Sequence, residues 1–282
     1  MRRRETDSEG KIRIYYDELY RAWGAQHWWP AETQFEVIVG AYLTQNTAWT
    51  NVERALENLR QAQLLSVEGV RGVKLARLQR LIRPSGYFRQ KAARLKTFVR
   101  YLDDHFEGSL EKLFSLSTPQ LRQELLNLNG VGPETADSIA LYAGNHPVFV
   151  VDAYTRRILD RHAIIPGTAE YDEIRTLFEQ SLGQIATDFE TRSIENQQLL
   201  EAGIRGAAHP PSAMSTAHRT ALVQVYNEMH GLIVGVGKNY CRKTKPNCDA
   251  CPLQKHLPAN GQPVDKREAT QPFVRRRRKA KA

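Results

Sequence analysis

The sequence contains no run of 18 consecutive apolar residues, so it offers no segment long enough to cross a bilayer as a helix. Its opening, MRRRETDSEGK, lacks the apolar core of a signal peptide, and the expectation is a soluble, cytoplasmic protein without a membrane partner. Cysteine is scarce. All three cysteines fall between Cys241 and Cys251, which argues against a disulfide framework and for a local metal or cluster site. Acidic residues are missing from 69–102, a stretch that carries ten Lys or Arg.

The net charge is +9, and the two ends account for it: Arg2 to Arg4 at the start, Arg275 to Arg278 with Lys279 and Lys281 at the finish. Basic runs of that kind hold DNA without sequence preference through counterion release. The bias within 69–102 is of another sort. Leu75, Leu78, Leu81 and Ile82, then Ala92, Leu95, Phe98 and Val99, recur at helical spacing around the turn RPSGYFRQK. A folded segment with one charge sign predicts a basic surface and a nucleic-acid partner.

The chain is organised around Leu128 to Asp137, LNGVGPETAD. Thr118 can cap a helix that starts at Pro119, with Leu121, Leu125, Leu126 and Leu128 on its apolar face. Asn129-Gly130-Val131-Gly132 stops it, and Pro133 suits the first turn of a second helix with Ala136, Ile139, Ala140 and Ala143 inward. Such a helix-hairpin-helix turns backbone N–H groups outward at a helix start. Those of Gly130, Val131, Gly132, Glu134 and Thr135 can then hold a phosphate without reading a base. Pro147, the apolar run Val148 to Val151 and Asp152 follow; Asp152 opens the helix AYTRR, for which it is a good N-cap.

Elsewhere, a helix is predicted from Ile12 to about Trp23, a loop at Trp28-Trp29-Pro30, and an apolar helix from Phe35 to Leu43 ending in Thr44-Gln45-Asn46-Thr47-Ala48-Trp49. Helical spacing returns at Val52 to Leu59 and at Tyr171 to Leu182. The polar, Ala-, Gly- and Pro-rich stretch at about 188–215 reads as an insertion or mobile loop. A final helix starts near Val223, Tyr226 and Met229 and leads to the cysteines.

The hairpin with its downstream aspartate resembles the helix-hairpin-helix, Gly-Pro-Asp (HhH-GPD) superfamily of DNA glycosylases, the group containing endonuclease III. WWP, LTQNTAW, PSGYFRQKA, GVGPETAD and VFVVDAYTRR are similar to the branch typified by 3-methyladenine DNA glycosylase III. The resemblance implies an all-α, two-lobed fold. A six-helix barrel would span 28–146, a second lobe would join 1–27 to 147–260, and 261–282 would be a basic tail. It also implies a monomer acting on double-stranded DNA that contains a damaged base. By the same resemblance Asp152 is catalytic, Trp28, Trp29 and Trp49 wall the base pocket, and Asn46 with Gln45 fills the gap left by the flipped nucleotide.

Endonuclease III carries a lysine at the position of Glu134, and a carboxylate there cannot form a Schiff base. The expected activity is therefore monofunctional removal of 3-methyladenine or another N-alkylated purine. The rivals are a glycosylase for oxidised or mismatched pyrimidines and a non-catalytic DNA-binding module. The spacing C-x6-C-x2-C of Cys241, Cys248 and Cys251 is similar to the first three ligands of the 4Fe-4S loop of endonuclease III. The fourth would fall on Leu257, with His256 beside it, so a 4Fe-4S cluster, a Cys3His zinc site and a metal-free loop all stay open.

Overall fold

A computed structural model describes residues 7–196 and 209–258, and every regular element among them is helical. The order is α1 (Asp7–Trp23), α2 (Gln34–Leu43), α3 (Trp49–Gln61), α4 (Val67–Gly72), α5 (Leu75–Leu81), α6 (Phe88–Phe106), α7 (Leu110–Phe114), α8 (Thr118–Asn127), α9 (Pro133–Ser138), α10 (Ala153–Arg161), α11 (Tyr171–Asn196) and α12 (Ala221–Asn239). α9 continues through Ile139–Ala143 as a π turn.

α2 is apolar on every side and is buried from Phe35 to Leu43, as expected of a helix enclosed by others. α3, α6, α9 and the π turn enclose it. α1, α10, α11 and α12 form a second group, in which α12 packs against the other three and also reaches the π turn. The described residues of the two groups share one continuous apolar core. Thr33 caps α2 by accepting from the N–H of Glu36 (3.1 Å), and Gly40 faces the Trp29 indole, where a Cβ would lie 3.1 Å from Cζ2. Glycine there lets the tryptophan lie directly on the helix.

Several expectations need correction. The first helix begins at Asp7, where Asp7 and Glu9 suit the positive end of the helix dipole. α8 is capped by Ser117, not Thr118, because Ser117 and Gln120 form a reciprocal capping box. α11 runs on to Asn196, so the first part of the loop expected at 188–215 is helix, and 197–208 lie outside the described residues. Its far end is tied down: His209 N donates to Gln26 O (3.2 Å), Met214 N to Ala31 O (3.0 Å) and Ala31 N to Ser212 Oγ (3.2 Å). The basic stretch is also not uniformly a surface. Arg71, Lys74, Arg77, Arg80, Arg83, Arg89 and Arg100 are exposed, but Lys91 is buried and Arg94 half-buried.

The loop bearing the two tryptophans rests on a buried polar network. Glu228 of α12 accepts from Gln26 N and from Gln224 Nε2, both at 2.8 Å. Arg219 beside it donates to Asn145 Oδ1 (3.1 Å) and to the carbonyls of Ser215 (3.1 Å) and Met214. Burial outweighs these partners and pushes the Glu228 carboxyl up to about 7. A carboxyl that binds its proton more tightly when folded costs stability as pH rises from the ordinary carboxylate range to about 7, and the loss is complete above that. Glu228→Gln should therefore raise stability by about 1–3 kcal/mol at alkaline pH and change little in acid, judged from ~1.4 kcal/mol per pKa unit. Urea unfolding at both pH values tests this, and equal destabilisation at both would refute it.

Candidate active site

Asp152 precedes α10 in extended conformation and caps it: Oδ1 accepts from Thr155 N (2.7 Å) and from the Thr155 hydroxyl (2.9 Å). Oδ2 remains, 3.7 Å from Nε2 of His230 on α12. Burial pushes the Asp152 carboxyl up, but His230 and the Thr155 bonds together prevail and hold it below the ordinary carboxylate range. The site thus keeps a charged carboxylate with one oxygen clamped and the other beside His230.

Glu134 lies across from it in the first turn of α9. Glu134 is exposed at the surface of the helix start. Partial desolvation of its carboxyl first, and the negative charge of Asp152 second, push Glu134 up to about 7. The site therefore holds two carboxyls with opposite tendencies. Asp152 is ionised, and Glu134 is ready to take up a proton near neutrality.

An aromatic array leads away from Asp152. The Tyr142 hydroxyl of the π turn pairs with His230 Nδ1. Tyr142 packs on Trp29 with centroids 5.2 Å apart, and Trp29 meets Trp49 edge to face at 5.0 Å and 89°. Trp28 meets Trp29 at 5.8 Å and His230 at 6.1 Å, with Lys238 Nζ 5.6 Å above its ring. All three expected tryptophans come together, but unequally. Trp28 and Trp29 are buried at 7% and 5% exposure, and Trp49 is half-buried.

Gln45 and Asn46 part company. Gln45 Nε2 donates to Gly130 O (3.1 Å) and the Thr135 hydroxyl (3.0 Å), while its Oε1 accepts from Arg94 Nη1 (2.8 Å). Its amide ties the end of α2 to the hairpin. Gly130, at φ +86°, leaves room for the Arg94 guanidinium; a Cβ there would lie 2.1 Å from Nε. Asn46 is exposed, in left-handed conformation at φ +54°. The neighbouring turn, which Thr47 joins through Ser85 O, leads to Tyr87, 68% exposed and also left-handed, a residue the sequence reading gave no role of its own. In the hairpin the Val131 N–H is spent on Leu128 O (3.1 Å), while those of Glu134 and Thr135 open α9 and have no intrahelical partner. Asp137 is buried against Arg122 (2.7 Å), which also reaches Asp172 and so pins the hairpin to α11.

Burial first, and neighbouring cysteines behind it, push up the thiols of Cys248 and Cys251, and Arg161 donates to Cys241 Sγ (3.2 Å). The donor set stops there. Position 257 is a leucine, His256 directs Nε2 to Glu18 (3.0 Å), and among the described residues no cluster of three His, Cys, Asp or Glu side chains is arranged to hold a metal ion. These residues do not complete a four-ligand 4Fe-4S or Cys3His centre. The loop is instead braced on α10: Arg157 donates to Cys241 O (2.7 Å) and Arg161 to Arg242 O (2.8 Å).

His230 and Tyr142 were missed by sequence reasoning. They lie 78 and 10 positions from Asp152 on other elements, and no local spacing marks them.

A family model described as HhH-GPD superfamily base excision DNA repair protein matches residues 39–184. A Methanocaldococcus jannaschii protein assigned as a DNA repair glycosylase is 40% identical over 253 residues, 88% of this chain and 97% of its own length. Among solved structures, an H. pylori 3-methyladenine DNA glycosylase bound to 1,N6-ethenoadenine aligns with a TM-score of 0.61 at 28% identity, over 83% of this chain and 98% of that one. Endonuclease III, trapped as a covalent intermediate on DNA, aligns at 0.63 with 20% identity over 88% and 95%, a likeness of fold. With the hairpin, the aspartate after it and a family match that spans both, this chain belongs to the HhH-GPD superfamily of base excision DNA repair proteins and is a DNA glycosylase of that type.

Proposed function

We propose that this glycosylase hydrolyses the N-glycosidic bond of a flipped N-alkylated purine such as 3-methyladenine and leaves the abasic strand intact. The observation that carries this reading is the ionised Asp152 at the end of an aromatic array, with Glu134 where a lyase would hold an amine. The H. pylori relative, a 3-methyladenine glycosylase at 28% identity, supports the substrate class.

An extruded base is held by stacking between flat side chains. Trp49 offers the accessible face, with Trp29 and Trp28 behind it. N-alkylation makes the purine cationic, and an aromatic face then adds about 0.5–2 kcal/mol that a neutral base does not receive. Such a base leaves with the bonding electron pair as a neutral molecule, so no strong acid is required. Asp152 Oδ2 stabilises the positive charge left on the deoxyribose and accepts a proton from the attacking water, whose oxygen bonds to the anomeric carbon. Asn46, already presented to solvent, fills the gap left by the base. Gln45 is committed to holding the turn. The hairpin N–H groups and the exposed arginines of 69–102 bind phosphates. The cysteine loop supplies no chemistry to these steps.

The decisive experiment incubates the protein with duplexes carrying a panel of damaged bases, with and without alkali. We expect free N-alkylpurine, strand breaks only after alkali, and no covalent complex with borohydride, because Glu134 cannot form an imine. Borohydride trapping would remove the monofunctional assignment. Release of oxidised pyrimidine in preference to alkylpurine would transfer the substrate to the rival class.

A further inference from the structure

Lys91 sits in the first turn of α6 at 2% exposure, and its ammonium makes three hydrogen bonds of 2.8 Å. The acceptors are Leu43 O at the end of α2, the Thr47 hydroxyl, and Ser85 O in the turn before α6. An ammonium has three protons, and here each has one partner. None of these partners is a carboxylate. A buried charge is costly unless fully hydrogen-bonded, and burial together with the facing Arg94 depresses this lysine to about 8. The mechanism above makes no use of it.

The three acceptors bracket one feature. Leu43 and Thr47 stand on either side of the turn that presents Asn46. The Thr47 hydroxyl also donates to Ser85 O and lies 3.3 Å from Gln45 O. The Ser85 turn leads directly into Tyr87. On the opposite flank Gln45 ties the same turn to the hairpin through Gly130 and Thr135. Lys91 is thus the tie that joins the Asn46 turn to the Tyr87 turn, two exposed left-handed positions on separate segments.

We propose that Lys91 is a positioning residue for base flipping: it fixes the Asn46 turn against the Tyr87 turn so that both enter the duplex together. This rests on the role given to Asn46 above. Lys91 touches no DNA itself, so its loss acts on insertion and not on phosphate affinity. A misplacement of about 1 Å at a reacting assembly can cost up to about a hundredfold in rate.

The test compares wild type, Lys91→Met and Thr47→Val as full-length protein. One duplex carries N-alkylpurine for excision; a second carries a stable abasic analogue with 2-aminopurine in the opposite strand beside it, to report insertion. We expect Lys91→Met to keep affinity for undamaged duplex within about twofold, to lose most of the 2-aminopurine response, and to lower kcat by about ten- to a hundredfold. Thr47→Val leaves the ammonium in place and removes one acceptor, so it should shift the same signals in the same direction by a smaller factor. That variant keeps the proposal testable if Lys91→Met fails to fold. Unchanged insertion signal and kcat in both variants would overturn it. Loss confined to duplex affinity would overturn it too, making Lys91 a phosphate anchor. If wild type itself shows no 2-aminopurine response while still excising base, the role of Asn46 fails and takes the positioning role with it.

Discussion

Asp152→Asn lowers base excision by about a hundredfold or more, the scale of losing one preorganised electrostatic contact to a developing charge, and leaves duplex affinity nearly unchanged. The substitution isolates the charge. Asparagine caps helices as well as aspartate does, and its oxygen can keep the bonds to Thr155 N and Oγ1 that Oδ1 makes now. What disappears is the anionic Oδ2, and with it the attraction to the sugar cation and the acceptor for the proton of water. His230 then faces an amide in place of a carboxylate, while its contact with Tyr142 through Nδ1 stays. In wild type the acid limb of the pH–rate profile should lie below the ordinary carboxylate range, since the folded pKa is lowered. By linkage, the stability Asp152 contributes is present above its unfolded pKa and fades as pH falls through the folded one. Single-turnover rates across pH measure the first effect and urea unfolding across pH the second. Full excision by the Asn variant would leave Asp152 a helix cap and nothing more.

The tryptophans should separate by where they are buried. Trp29 is enclosed by Trp28, Trp49, Tyr142 and Gly40, and truncation leaves a cavity that these rigid neighbours cannot fill. Trp29→Ala should therefore cost about 3–5 kcal/mol of folding stability, so any loss of excision in that variant mixes unfolding with lost stacking. Trp49 is half-buried, and its indole N–H reaches only the exposed Glu53 (2.8 Å). Trp49→Ala should barely change stability yet remove about 1–3 kcal/mol of base contact, as other base-aromatic stacks do. Urea unfolding paired with excision of N-alkylpurine separates the two cases. Equal excision by Trp49→Ala and wild type would place the base elsewhere.

The helical class was legible because its signals are local. Leu121 and Leu125 of α8, and Leu95, Phe98 and Val99 of α6, recur at 3.6-residue spacing and are buried as that spacing requires. The hairpin was legible for the same reason, since Gly130, Gly132 and Pro133 act on their own backbone. Asp152 was read as an N-cap and is one. The small errors are local competitions. Ser117 displaced Thr118 as cap because Gln120 stands at the right distance to complete a capping box, and α11 outran its apolar pattern to Asn196.

What the sequence by itself determined, then, is the longer helices, without α4 and α7, the stop-and-start chemistry of the hairpin and the absence of an amine at Glu134. Periodicity, turn residues and helix caps act over a few neighbours, so they survive without the fold. The tertiary structure alone decided which of the marked side chains are free. Gln45 and Asn46 are adjacent amides, yet one is consumed by Gly130, Thr135 and Arg94 and the other is exposed. Lys91 counted toward a basic surface and lies inside, because three acceptors from two other segments meet its ammonium. His230 carries no local mark at all. Its pairing with Asp152 joins residues 78 positions apart, and only packing α12 against α10 brings an imidazole to that carboxylate and keeps it charged.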